Sequence, residues 1–130
     1  MNILVVDDSA TFRHLMMKML NELGYRDLYE AGSVEEAKRE LSSNQIDLIF
    51  SDWHMPGGSG LELLRHVRAN PGIEHIPFVM ITTEQQKNSI VEAVKCGLQS
   101  YLFKPVQKEV LSKKLLELSK SHGIKPPFSS

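Results

Sequence analysis

The sequence predicts an α/β domain in which a parallel sheet of five strands carries helices on both faces. Three observations lead there. Several short runs are almost wholly apolar, strand-like and helix-like segments alternate five times, and the helical segments carry recognisable start or stop residues.

The first strand is "ILVV" at residues 3–6, too short for a helix and β-branched enough for a strand buried on both sides. A helix follows, because Phe12, Leu15, Met16, Met19, Leu20 and Leu23 keep the spacing of one face and Gly24 closes it. Residues 28–31 form a mixed strand nearer an edge. "SVEEAKREL" then opens a second helix with a capping box, Ser33 and Glu36. "LIF" at 48–50 is the third strand. "SGLELLRHV" repeats the capping device with Ser59 and Glu62, and Leu61, Leu64 and Val67 share one side. "FVMI" at 78–81 is the fourth strand. A fourth helix runs from about Gln86 to Cys96 and stops at Gly97. Residues 101–103 are a second edge strand. A fifth helix, 108–121, buries Val110, Leu111, Leu115 and Leu118. Right-handed crossovers make this alternation a parallel sheet.

Residues 1–121 form one domain, and 122–130, ending "KPPFSS", are a disordered tail. The 130 residues suffice for a single core. Charge is balanced, 15 Lys+Arg against 16 Asp+Glu, so neither nucleic acid nor an anionic membrane is an expected partner. The N-terminus has no charged n-region of a signal peptide, and no apolar run is long enough to span a bilayer. The lone Cys96 forms no internal disulfide, in keeping with a reducing compartment. The expectation is a cytoplasmic monomer.

The polar residues at the strand ends carry the chemistry. Asp7 and Asp8 follow the first strand, Asp52 the third, Thr82 and Thr83 the fourth, and Lys104 the fifth. Ligand sites in such sheets lie beyond the carboxyl ends of the strands, where the strand order reverses. Asp is a poor strand former and costly to bury alone, so Asp52 needs neighbours. Three crowded carboxylates either raise a pKa or bind a cation. Oxygen-only donors favour a hard ion such as Mg²⁺. A carboxylate is also a nucleophile toward phosphorus, given a metal and fixed donors for the phosphoryl oxygens. Lys104 offers the cation and Thr82 the hydroxyl.

"VVDDS", "SDWHMPGGSGLELL", "MITTE" and "YLFKPV", in this order and spacing, resemble the receiver domains of two-component response regulators, and most of all the single-domain, CheY-like chemotaxis type. The likeness covers about residues 1–121. It implies a flavodoxin-like, doubly wound sheet of order 2-1-3-4-5 with five helices. It also implies roles: Asp52 as phosphoacceptor; Asp7, Asp8, Asp52 and the His54 backbone carbonyl as Mg²⁺ ligands; Thr82 and Lys104 on the phosphoryl group. Tyr101 is the implied switch aromatic, paired with Thr82, and Lys104–Pro105 the implied cis bond. The implied function is a stand-alone response regulator, phosphorylated by a histidine kinase and acting on a downstream protein such as a flagellar motor switch. It turns over no substrate beyond its own Asp52. A phosphorelay shuttle is the alternative within that class.

Two positions depart from the commoner pattern. Gly58 and Ser59 stand where Met and Asp are frequent, and His54 where chemotaxis members often carry Asn. An aspartate-nucleophile phosphatase is the competing enzyme reading, but it wants a second acid where His54 stands, and a cap domain. A dinucleotide binder lacks its glycine loop, since "DDSATF" follows the first strand. Trp53 is either core or a cover over the metal site.

Overall fold

Ile3, Leu4, Val5 and Val6 are all fully buried, as a strand covered on both faces must be. The computed structural model describes residues 1–83 and 87–122. In chain order the elements begin with β1 (Asn2–Val6), α1 (Ala10–Glu22), β2 (Asp27–Ala31), α2 (Val34–Ser43) and β3 (Leu48–Asp52). Two short strands follow, β4 (His54–Met55) and β5 (Gly58–Ser59), then α3 (Gly60–Ala69) and β6 (Phe78–Thr82). The chain continues through α4 (Lys87–Lys95), β7 (Ser100–Phe103) and α5 (Lys108–His122). The expected start of the fourth helix at Gln86 and the tail from residue 123 onward lie outside the described residues.

Five strands form one sheet in the order β2-β1-β3-β6-β7, every pair parallel. Counting only this sheet's strands, that is the expected 2-1-3-4-5. Alternate strand residues feed two cores. Leu4, Val6, Ile49, Phe78 and Met80 face α2, α3 and Ala93 of α4. Ile3, Val5, Leu48, Phe50, Val79 and Ile81 face α1 and α5. Among the described residues no helix is long and apolar enough to cross a membrane.

The expected caps form. Ser33 and Ser59 accept hydrogen bonds from the amides of Glu36 and Glu62. Glu36 closes back on the amide of Gly32, one residue before the cap. Gly24 and Gly97 have φ of 101° and 95°, the left-handed conformation that ends a helix cheaply only at glycine. Two expected core residues lie outside the core: Leu15 is 48% and Val110 50% exposed. Helical spacing gives a direction but not the width of the buried stripe. On α1 the stripe narrows to Met16, Met19 and Leu20, with Phe12 and Leu23 at its edge.

Trp53 is core, packed with Val34, Met55 and Leu63 beneath α2 and α3. Residues 54–59 form an antiparallel ribbon, His54 opposite Ser59 and Met55 opposite Gly58. Pro56 followed by Gly57 at φ 77° is the combination used by a type II turn. The unusual Gly58 has a structural partner. A Cβ there would lie 2.8 Å from Cγ2 of Val34, so Val34 fills the space a side chain at 58 would take.

Arg68, near the end of α3, was not anticipated from the sequence. Its guanidinium donates to the carbonyls of Gly97 (2.9 Å), Ile76 (2.7 Å) and Glu74 (3.0 Å) and to the Gln99 side chain. Gln99 in turn accepts from the Phe78 amide at 2.8 Å. One side chain thereby ties α3 to the entries of β6 and β7. Burial lowers its pKa.

Candidate functional site

Register assembles the site. Val6 lies opposite Ser51, so the next residues, Asp7 and Asp52, emerge side by side. Asp52 lies opposite Ile81, which brings Thr82 one step beyond it, and Thr82 lies opposite Phe103, just before Lys104. The Lys104 amide donates to the Thr82 carbonyl at 2.8 Å. Lys104–Pro105 is cis.

The structure brings Asp7, Asp8 and Asp52 together, each with a carboxylate oxygen within 4.8 Å of the others. Asp7 is only 1% exposed and fully engaged. Its Oδ1 accepts from the Ser9 amide at 2.8 Å and its Oδ2 from Lys104 Nζ at 2.9 Å. Ser9 also caps α1, its Oγ accepting from the Phe12 amide at 3.2 Å. Arg13 donates to the Asp7 carbonyl at 2.6 Å and to Glu30 at 2.7 Å. Asp8 is exposed. A chelating set that is part buried and part solvent-facing, with oxygen donors only, suits a hard divalent cation that keeps some of its water.

Lys104 Nζ stands 3.5 Å from Asp52 Oδ1, farther than from Asp7. The Trp53 amide donates to the same Asp52 oxygen at 2.8 Å. Burial and then the charge of Asp7 push the Asp52 carboxyl above its usual range, while Lys104 and the Trp53 amide pull it back. A buried acid held above its unfolded pKa destabilises the fold once ionised. That cost grows as pH rises from the ordinary aspartate range through the raised value, and it is fully present above it. Asp52→Asn should therefore raise the melting temperature at pH 7 without metal, and the gap to wild type should close on acidification. Calorimetry across that window checks this; an unchanged or lower melting temperature at pH 7 would contradict it. Mg²⁺ should stabilise wild type more than the variant.

Thr82 is fully buried, its hydroxyl 3.3 Å from the Thr83 carbonyl. His54 opens β4 with an exposed side chain, directly after Trp53. Tyr101 lies on the outer strand, 40% exposed and edge-on to Phe103 with ring centroids 5.3 Å apart. It lines an apolar groove of about 770 Å³ with Val91, Val94 and Phe103. Of the expected residues, the three acids cluster and Lys104 reaches two of them, Asp7 and Asp52; Thr82 ends the neighbouring strand, and Tyr101 stands apart on the edge.

Sequence reasoning passed over two contributors. Ser9 tethers Asp7 to the start of α1, and its place two residues after an acid, before a helical pattern, was a usable cap signal. The Phe12 ring lies under Lys104, 4.3 Å from Nζ, although its spacing marked it only as helix face.

Comparisons with known proteins place this geometry. A family model described as the response regulator receiver domain matches residues 3–116. The chemotaxis protein CheY of Pseudomonas aeruginosa is 38% identical over 88% of this chain and 93% of that protein. Chemotaxis protein CheY1 of Helicobacter pylori J99 is 41% identical over 88% of this chain and 94% of its own length. Among solved structures, the chemotaxis response regulator CheY4 of Vibrio cholerae superposes with a TM-score of 0.83 at 31% identity, over 90% of this chain and 97% of that one. The signal receiver domain of a Syntrophus aciditrophicus signal transduction histidine kinase gives 0.84 at 29% identity, over 99% and 97%.

Proposed function

The chain belongs to the response regulator receiver family, as a homologue of the chemotaxis CheY proteins, and from that premise we propose that it is a phosphorylation-controlled switch centred on Asp52. The observation that carries this reading is the convergence on one point of three carboxylates, with Lys104 Nζ 2.9 Å from Asp7 and 3.5 Å from Asp52.

Asp7, Asp8, Asp52 and the His54 carbonyl would hold Mg²⁺. Bound there, the ion supplies charge neutralisation for a phosphoryl group in transfer. The chain's own groups do the rest. An Asp52 carboxylate oxygen attacks phosphorus as the bond to the donor breaks, leaving an acyl phosphate on Asp52 and the bonding pair on the donor atom that had carried the phosphoryl group. The Trp53 amide fixes the orientation of the carboxylate, because one Asp52 oxygen is already its acceptor. Lys104 stands where a phosphoryl oxygen gains a cation, and the Thr82 hydroxyl is the donor on the next strand. The donor is a histidine kinase and the output a protein contact, in chemotaxis signalling by likeness to the named relatives. No other substrate is turned over.

Switching rests on Thr82 and Tyr101, whose strands are adjacent. A phosphoryl group shifts the equilibrium only through contacts that differ between the two states. Drawing the Thr82 hydroxyl toward a phosphoryl oxygen alters the space that the exposed Tyr101 ring can enter, and with it the groove against α4. With beryllofluoride as phosphoryl mimic, NMR shifts in the wild type should spread from Asp52 through β7 to α4. In Thr82→Ala they should stay local to the acids. A full wild-type pattern in that variant would remove Thr82 from the switch while leaving Asp52 as acceptor.

A further inference from the structure

Phe12 is the third residue of α1, and the cap that starts the helix also fixes where its ring goes. Ser9 accepts the Phe12 amide on its hydroxyl and donates its own amide to Asp7, so the first turn is locked to the acid cluster. The ring is half-buried at the margin of the core shared by α1 and α5. Its face meets the Lys104 ammonium at 4.3 Å from the centroid. The same ammonium reaches Asp7 at 2.9 Å and Asp52 at 3.5 Å.

These contacts differ in what competes for them. Asp7 is shared between Lys104 and any cation that the three acids hold. Asp52 changes from a carboxylate to an acyl phosphate when it reacts. The aromatic face is neutral and ligates neither the metal ion that the acids would hold nor a phosphoryl group. Its attraction for an ammonium, arising from the ring quadrupole, persists through every state of the acids. A lysine head on a four-carbon stem is otherwise free to swing into solvent.

We propose that Phe12 is a positioning residue for phosphoryl transfer, its ring holding the Lys104 ammonium beside Asp52 when Asp7 is engaged elsewhere. The proposal rests on the reading of Asp52 as acceptor and Lys104 as the cation on the phosphoryl group. It requires an aromatic face at position 12, where helix packing alone would accept any large apolar side chain.

Shape and charge are separable in one experiment. Phenylalanine at position 12 is replaced by its 4-fluoro, 3,5-difluoro and 3,4,5-trifluoro analogues, which drain the ring face with little change of volume. The rate of Asp52 phosphorylation by acetyl phosphate with Mg²⁺ is measured by intact mass, with melting temperatures alongside. The rate should fall at each step, to about a fifth by the trifluoro analogue, without following the melting temperatures. Phe12→Trp should keep the rate, and Phe12→Leu should lower it about fivefold or more. A flat rate across the series, or one that tracks stability instead of ring charge, overturns the proposal while Asp52 remains the acceptor. A wild-type protein that takes no phosphoryl group on Asp52 removes the functional reading itself, and the proposal with it.

Discussion

Gly60→Ala is expected to destabilise the fold by roughly 3 kcal/mol or more, a drop of about 10 °C in melting temperature for a chain of this size. Gly60 is the first residue of α3, and its amide donates to the Trp53 carbonyl at 2.7 Å. A Cβ at this position would run into the carbonyl oxygen of Asp52 and lie 2.7 Å from the Met80 sulfur. The sulfur ends a flexible side chain and can give way. The carbonyl belongs to the backbone that carries the site's central acid, so relief means displacing the backbone at Asp52. Gly58→Ala is the internal comparison. There the obstruction is a Val34 methyl at 2.8 Å, which yields by a small shift of α2, for about 1 kcal/mol. Chemical denaturation of both variants checks the ranking. A Gly60→Ala protein within about 0.5 kcal/mol of wild type would show that α3 can back away from the sheet, contrary to the close approach described.

Much of this architecture is legible in the sequence, and the reasons are local. Runs such as "ILVV" and "FVMI" can bury every side chain only in a strand covered on both sides, and Ser33 and Ser59 announce their helices. Since parallel strands end on one side of the sheet, the residues after the apolar runs had to converge, and Asp7, Asp52 and Lys104 do. Asp8 completes the cluster from the exposed side. What was not legible depends on side-chain reach across the fold. Whether Leu15 and Val110 lie inside or outside depends on how closely neighbouring elements approach, which period does not encode. Arg68 looks like any polar residue on an amphipathic helix, yet it collects carbonyls from the loop just after that helix and from Gly97, 29 residues along the chain. Trp53 next to Asp52 allowed two placements, and the strand's alternation decided for the core. The Gly58 departure found its explanation in Val34, 24 residues away in sequence but in contact in space. Phe12 carried two roles of which spacing reveals one.

Asp52 is the group on which the functional account stands, because it alone is asked to form a covalent bond. Its surroundings serve that end at a cost to the fold: burial and the Asp7 charge both disfavour its ionised form, and Lys104 and the Trp53 amide only partly compensate. Asparagine at 52 keeps the shape and removes the nucleophile, and by the same electrostatics the variant should fold at least as well as wild type. Loss of reaction would then not be loss of structure. The direct measurement is intact-protein mass spectrometry after incubation with acetyl phosphate and Mg²⁺. Wild type should gain a single phosphoryl group and Asp52→Asn none, whereas a variant labelled at the wild-type rate would place the acceptor elsewhere and contradict the assignment of Asp52.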